Sequence, residues 1–362
     1  MPRTARRQII DEFRVGTYHC SSRCVRRSSF RDRVLGGLDP SHRQQWFVQR
    51  LRGLARLFAI DVMDFAIVDN EFHTVLRNRP DLARKLSPEE VIRRWLQLSR
   101  RALDLKAEPD LKQIKKELAK RGWLAELRRR LSSISWWMIM LKEPIAREAN
   151  AEDRVRGHFF AERFDAEKLE DGEQRLATSL QINSLAVRLG LANDVVSSQF
   201  TAAYARRNGD GDWLAGELVE EVSRSSTDSP ASEDAIASEA SGAEEASRTA
   251  EVLGGDVSAA QAGDHSNLVK KPPLFNRLPL EVYMDWLANN LGPAGDDAAL
   301  TTPALTLPEQ LPEAWLRYGL DAANWEEAVR TITRRFRWLT RVASEMRCDC
   351  RRFVADSTPP PR

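Results

Sequence analysis

The chain has no apolar run long enough to cross a bilayer, so its sequence predicts no transmembrane helix and no membrane partner. Its basic first residues, 1–7, are not followed by the apolar core of a signal peptide. With both absent, the cytoplasm is the expected location.

Cysteine is scarce, with four residues in a chain of 362. Cys20 and Cys24 form a C-x₃-C pair, whereas Cys348 and Cys350 form a distant C-x-C pair. Neither spacing matches the C-x₂-C of zinc knuckles, and disulfides are not expected in a reducing compartment. Buried thiols on the first strand are the favoured interpretation. A zinc site built from both pairs is the alternative.

The length of the chain suggests two domains, and ten tryptophans and thirteen phenylalanines provide material for a large core. Residues 1–222 form the first predicted domain. Residues 223–270 are rich in Ser, Ala and Glu and cannot bury enough apolar surface to offset their ordering entropy. They are expected to be a disordered acidic linker. Residues 271–362 contain apolar residues at helical spacing and predict a helical region.

The chain has a net charge of +2, but its charges are unevenly distributed. Residues 1–60 are rich in arginine, and their only acidic residues are Asp11, Glu12, Asp32 and Asp39. Such a region suits a polyanionic partner, because neutralising phosphates releases condensed counterions. Arginine also favours bidentate contacts with phosphate or guanine. The alternative is an ordinary solvated basic surface.

An apolar run over residues 58–67 is typical of a β-strand, and Asp69 and Asn70 after it are turn residues. A second strand follows, and the sequence therefore predicts a hairpin. Glu71 and His73 would share one face of this strand, because side chains alternate with period two. Together they suit a divalent cation. The alternative is an ordinary strand with Glu71 in solvent and His73 packed.

Three separated segments carry a resemblance to one known family, in the correct order. Residues 18–30 open with Tyr-His and end in a basic stretch, 70–73 read Asn-Glu-Phe-His, and 157–164 read Gly-His-Phe-Phe-Ala-Glu-Arg-Phe. Over about residues 9–210 the chain resembles the HUH-type tyrosine transposases, in particular the REP-associated, insertion-sequence-200-like group. The resemblance implies an α+β, ferredoxin-like sandwich, an antiparallel sheet with helices on one face. The C-terminal region looks like the helical extension of longer members.

The coarse order of predicted elements is compatible with that fold. A strand over about 15–25 and a helix over 41–58 precede the hairpin, and Ser87-Pro88-Glu89-Glu90 predicts a capped helix start. Residues 109–131 favour helix, and 135–141 are apolar almost all round. The fourth strand is predicted over about 158–166, with a helix after Asp171.

The chain departs from the family at both catalytic motifs. The family's strand reads Asn-His-hydrophobic-His, and Glu71 replaces its first histidine. The family's nucleophilic tyrosine corresponds to Gln181 without gaps, or to Ser179 in an alternative register, and neither has a phenol. Glutamine cannot form a covalent intermediate with DNA. The resemblance therefore implies lost catalysis, although Glu71 and His73 still suit Mg²⁺ or Mn²⁺.

The resemblance also implies a partner, single-stranded DNA folded into an imperfect hairpin. The residues expected to contact it are Arg23, Arg26, Arg27, Arg163 and Arg188. Phe159 would either stack on an unpaired base or pack in the core, and the core is favoured. A homodimer is a further expectation, because Trp136 and Trp137 suggest exposed apolar surface.

Three functions remain open on the sequence. The favoured one is a transposase-derived DNA-binding protein without strand transfer. The second is a metal-dependent nicking enzyme that uses Ser179 or another residue such as Tyr204. The third is a protein-interaction module that kept the fold and abandoned nucleic acid.

Overall fold

A computed structural model of the chain describes residues 5–25, 41–68, 70–98, 108–189, 191–215, 278–290, 313–316 and 320–336. Among these residues, no helix combines the length and apolar character needed to cross a membrane. The predicted linker, residues 223–270, lies outside the described residues.

Four strands form one antiparallel sheet: β1 is Gly16–Arg23, β2 is Ile60–Val68, β3 is Glu71–Asn78 and β4 is Asp165–Leu169. Their spatial order is β2-β3-β1-β4, and every neighbouring pair is antiparallel. This order, with helices in the connections after β1 and β3, confirms the predicted α+β class and ferredoxin-like sandwich.

Helices fill the connections and extend beyond the sheet. In chain order they are α1 (Arg6–Ile9), α2 (Ser41–Leu57), α3 (Pro80–Lys85), α4 (Pro88–Leu98), α5 (Leu111–Leu118), α6 (Trp123–Leu131), α7 (Ile134–Glu152), α8 (Gly172–Asn183), α9 (Leu185–Arg188), α10 (Ala202–Arg207), α11 (Leu280–Asn290), α12 (Glu313–Leu316) and α13 (Ala322–Arg335).

The hairpin predicted from the turn residues is confirmed, since β2 and β3 pair from Val68 and Glu71 outward. The fourth strand was predicted too early: β4 starts at Asp165, opposite Ser21 of β1. Before it, Phe160 still forms an isolated antiparallel bridge with Cys24, and residues 161–164 interrupt the ladder between this bridge and β4. Phe159 and Phe160 are both buried.

Most of the helices predicted from the sequence are confirmed. The backbone N–H of Glu90 donates to Ser87 Oγ at 3.2 Å, which caps α4 as predicted. The carboxylate of Glu90 binds Arg93 and Arg94 instead of closing the capping box. The helix-favouring stretch 109–131 forms two helices, α5 and α6, and Gly122 between them has a φ of 73° that favours glycine.

One face of the sheet packs on α2 and α7 and forms the main core. The ring of Phe47 on α2 lies 5.1 Å from that of Phe72 on β3. Trp137 on α7 is fully buried, and half-buried Trp136 lies beneath the guanidinium of Arg130 at 4.3 Å. These two tryptophans therefore do not form the exposed apolar surface expected from the sequence.

The opposite face of the sheet is covered by α8 and the C-terminal helices, so helices lie on both faces and not on one as the sequence predicted. Asp171 caps the start of helix α8, and its Oδ1 accepts from the backbone N–H of Gln174 at 2.7 Å. Helix α13 packs along α8, and the backbone N–H of Asp321 donates to Glu173 at 2.7 Å. Residues 1–221 and 272–362 accordingly belong to one compact unit.

Candidate functional site

A β-bulge brings two carboxylates to the same face of the sheet. In β2, Val62 pairs with Leu76 of β3, but the next paired residue is Asp64, opposite Val75. Met63 is the extra residue of the bulge, so Asp61 and Asp64 both point towards the face that carries His73. A regular strand would have placed these two aspartates on opposite faces.

Asp64 is the centre of a buried polar network with α8 and α11. Its carboxylate accepts from Ser179 Oγ and, at 3.0 Å to both oxygens, from Asn183 Nδ2. The hydroxyl of Tyr283 lies 2.9 Å from Ser179 Oγ and accepts from Asn183 Nδ2 at 2.9 Å. All four residues are buried. The network therefore ties α8 and the C-terminal helix α11 to the sheet.

Burial is the largest influence on the pKa values of Asp64 and Tyr283 in this network. It raises the pKa of Asp64 above its usual value, although the nearby charge of Arg206 and the hydrogen bonds from Ser179 and Asn183 oppose the shift. Burial, together with the charge of Asp64, also raises the pKa of the Tyr283 phenol. A phenol with a raised pKa, held by two hydrogen bonds, is a poor nucleophile.

The two residues predicted at the nucleophile position are both enclosed. Ser179 is fully buried and hydrogen-bonded, and Gln181 on the same helix is also buried. Tyr204, the other alternative, is half-buried on α10. The protein therefore presents no exposed nucleophile at either predicted position on α8.

Beside this network, a chain of polar groups crosses strands β1 and β3. The guanidinium of Arg23 donates to Glu71 Oε1, and Glu71 Oε2 lies 3.3 Å from His73 Nε2. His73 Nδ1 lies 3.1 Å from His19 Nε2. The negative charge of Glu71 favours the proton on His73 Nε2, which makes His73 Nδ1 the acceptor from His19.

That tautomer leaves His19 Nδ1 as a bare acceptor, and this buried atom has no hydrogen-bond partner among the described residues. His19 is completely buried, and burial holds its pKa well below the usual value, assisted by the positive charge of Arg335. The imidazole is therefore neutral at physiological pH.

Glu71 and His73 come together as predicted, but this donor set does not fit Mg²⁺ or Mn²⁺. These ions favour several oxygen ligands, whereas Glu71, the carboxylate that lies 3.3 Å from His73, already binds Arg23. Across the described part of the chain, no group of three or more His, Cys, Asp or Glu residues is arranged to hold a metal ion. The metal site stays a prediction of the sequence.

A pocket of about 430 Å³ opens next to the two histidines. Its floor includes His19, His73 and Glu71, and α13 supplies Arg335 and Phe336 as one wall. The Phe336 ring stacks on the His19 imidazole at a centroid distance of 5.6 Å and lies tilted against that of His73 at 5.5 Å. Arg335 forms an ion pair with Glu167 of β4. This pocket joins the first domain and the C-terminal helices in one site.

The predicted DNA-contacting arginines have different positions. Arg23, whose side chain is 47% exposed, and the exposed Arg163 both line the pocket at its solvent side. Arg188 is half-buried on α9 and is not among the pocket residues, and loss of solvation lowers its pKa to about 10. Arg26 and Arg27 lie outside the described residues.

Two other predicted groups are also placed. Phe159 is buried, as the favoured interpretation required. Cys20 and Cys24 are buried thiols, and burial raises the pKa of Cys20 to about 12, so this thiol is unreactive at neutral pH. Cys348 and Cys350 lie outside the described residues, so a zinc site built from both pairs stays a prediction.

Sequence reasoning missed the roles of His19, Asp64, Tyr283, Arg335 and Phe336. The one local signal was Asp64, which with Asp61 is one of two carboxylates inside a mainly apolar strand. Tyr283, Arg335 and Phe336 meet the sheet only through tertiary packing, which leaves no periodic pattern near the site.

Comparisons of the chain with protein-family models, curated proteins and solved structures found no match. The chemistry of the site therefore follows from its own side chains. These provide guanidinium donors at the solvent side, two buried imidazoles below, and no exposed nucleophile at either predicted position on α8.

Proposed function

We propose that this protein binds single-stranded or hairpin DNA and descends from a transposase that has lost strand transfer. The observation that carries the proposal is that Arg23 and Arg163, both exposed, line one pocket on the polar face of the sheet. Guanidinium groups in that position suit phosphate oxygens, because they donate two hydrogen bonds in a fixed plane.

The loss of catalysis is supported by α8. In the resembling family the nucleophile lies on the corresponding helix, beside the polar face of the sheet. Here Ser179 and Gln181 occupy the predicted positions and are buried, and Ser179 is hydrogen-bonded to Asp64 and Tyr283. A hydroxyl enclosed in this way cannot approach a phosphodiester without displacing α11.

The test is a titration of a labelled DNA hairpin with a single-stranded flank, at about 50 and 200 mM salt. We expect binding that weakens steeply with salt, because phosphate contacts release counterions. Arg163→Gln should weaken binding several-fold, whereas Arg84→Gln on distant α3 should not, although it removes the same charge from an exposed position.

Absence of binding at the lower salt concentration would overturn the DNA-binding proposal and favour the protein-interaction alternative. Incubation of the hairpin with Mn²⁺ tests the catalytic part separately. A covalent protein–DNA adduct that survives denaturation would show that strand cleavage persists.

A further inference from the structure

The turn that ends α7 has an arginine at a position that favours glycine. The backbone N–H groups of Arg154 and Val155 donate to the carbonyls of Ala151 and Asn150 at 3.2 and 3.0 Å. This is the Schellman pattern, in which the first residue after the helix cap is left-handed and is usually glycine. Arg154 holds that position with a φ of 53°, and no other non-glycine residue in the described part of the chain has a positive φ. An arginine there costs stability, because its Cβ approaches the following carbonyl oxygen.

The next residue is also unfavourable for the fold of this turn. In Schellman turns an apolar side chain at the position of Val155 frequently packs on the third-last residue of the helix. Here that residue is Asn150, whose side-chain amide instead donates to the carbonyl of Gly157 at 2.9 Å and fixes the turn. Val155 is 41% exposed. A strained arginine and an exposed valine on a fixed backbone indicate that both side chains serve a partner.

The turn keeps its positive charge after the ion pairs around it are counted. The side chains of Arg154 and Arg156 are exposed and have no hydrogen bond or ion pair with the described residues. The two acidic residues at the end of α7, Glu152 and Asp153, are bound by Arg43. None of the eight residues after Asp153 is acidic. Two guanidiniums therefore face solvent without a neutralising partner.

The turn lies next to the part of the sheet where DNA binding is proposed. It leads directly into the segment in which Phe160 forms an antiparallel bridge with Cys24, just beyond β1. Arg163 follows this bridge and lines the pocket. Residues 154–158 and Arg163 therefore flank one short paired segment at the same end of β1.

An exposed apolar side chain between two guanidiniums suits the minor groove of a DNA duplex. That groove is about 6 Å wide and admits a turn or an extended arm, whereas helices and β-ribbons enter the major groove. Its negative potential attracts arginine, and proteins that bind there combine arginines with apolar side chains. Because the backbone of the turn is already fixed, binding orders little more than the side chains.

We infer that residues 154–158 bind the minor groove of the duplex stem of a DNA hairpin, as a second contact beside Arg23 and Arg163. The inference rests on the proposed DNA-binding function and adds to it a requirement for a duplex. The turn accordingly distinguishes a hairpin from a single strand of the same flanking sequence.

Replacement of Arg154 by glycine separates binding from folding. Glycine adopts the left-handed conformation without strain, so Arg154→Gly should raise the melting temperature by about 2 °C. The same variant should bind a labelled hairpin about tenfold more weakly than the wild type, because one groove contact is lost. Its affinity for the flanking single strand without a stem should be unchanged. The matched control Arg84→Gln, which removes an exposed charge on α3, should bind both DNAs as the wild type does.

Two further variants separate charge from apolar contact. Arg156→Gln should weaken hairpin binding and reduce the slope of log affinity against log salt by about 1, because one fewer counterion is released. Val155→Ser should weaken hairpin binding several-fold without a change in this slope, because it removes no charge.

Hairpin affinity that is unchanged in both Arg154→Gly and Arg156→Gln would overturn the inference and leave the DNA-binding proposal intact. An equal loss of affinity for the hairpin and the single strand would also overturn it, because the turn would then not recognise the stem. A lower melting temperature of Arg154→Gly would count against it in the same way, since the arginine would then support the fold. Absence of wild-type binding to both DNAs would overturn the inference and the proposed function together.

Discussion

Removal of the Asp64 carboxylate should destabilise the protein far more than removal of Asp61, three residues away on the same strand. Both aspartates are buried, and both accept from cationic or polar donors. They differ in whether their hydrogen-bond partners can reach water once the carboxylate is removed. Arg77 and Arg79, the partners of Asp61, remain partly exposed and can bind water instead.

The partners of Asp64 have no such alternative. Its loss leaves the hydroxyl of Ser179, the amide of Asn183 and the backbone N–H of Phe65 without their acceptor in a buried site. The buried guanidinium of Arg206 also loses the negative charge of Asp64, at 3.8 Å. Breaking a buried pair costs about 3–5 kcal/mol, so we expect about 4 kcal/mol for Asp64→Ala. Asp61→Ala should cost about 1–2 kcal/mol.

Urea unfolding followed by circular dichroism measures both free energies of unfolding. Since domains have total stabilities of about 5–15 kcal/mol, the Asp64 variant should show a markedly lower midpoint. An Asp64→Ala loss no larger than that of Asp61→Ala would refute the reasoning, because the network would then contribute no more than a solvated ion pair.

Three further outcomes follow from burial. Tyr283→Phe should cost about 1 kcal/mol in urea unfolding, because Ser179 and Asn183 keep Asp64 as acceptor; a loss equal to that of Asp64→Ala would contradict this. Burial lowers the pKa of His19 in the folded protein. Below about pH 6.5, His19 therefore takes up a proton in the unfolded chain but not in the folded chain. The free energy of unfolding should thus fall as pH drops from 7 to 5, by up to about 1.4 kcal/mol per pH unit from this group. His19→Asn should flatten this dependence on pH. Parallel curves of stability against pH for the variant and the wild type would exclude His19 as the cause. Cys20, whose pKa is about 12, should resist alkylation by iodoacetamide at about pH 8 in the native protein and react after unfolding in urea, as measured by mass spectrometry.

The sheet was predictable because its signals are local. The turn residues specified the hairpin, and the period-two alternation placed Glu71 and His73 on one face, as the register confirms. The prediction for β4 started too early because residues 161–164 interrupt the pairing between the Cys24–Phe160 bridge and Asp165. A strand pattern states which residues prefer extended structure, and the partner strand decides which of them pair.

The site was less predictable because its parts come together through non-local geometry. The bulge at Met63 changes the direction of Asp64, and a bulge depends on the partner strand. The C-terminal residues were predicted as a separate helical region, and their helices are confirmed. The packing of Tyr283 and Phe336 onto the sheet depends on complementary shape. The spacing of apolar residues along a helix does not predict such packing.

The contact between Ser179 and Tyr283 joins residues 104 positions apart, and this separation bears on how the protein folds during synthesis. While the ribosome is still adding the C-terminal helices, the polar face of the sheet and the apolar side of α8 lack their cover. Closing so long a loop is slow, and exposed apolar surface favours aggregation in the meantime. The nascent protein should therefore depend on chaperones until α11 and α13 have emerged.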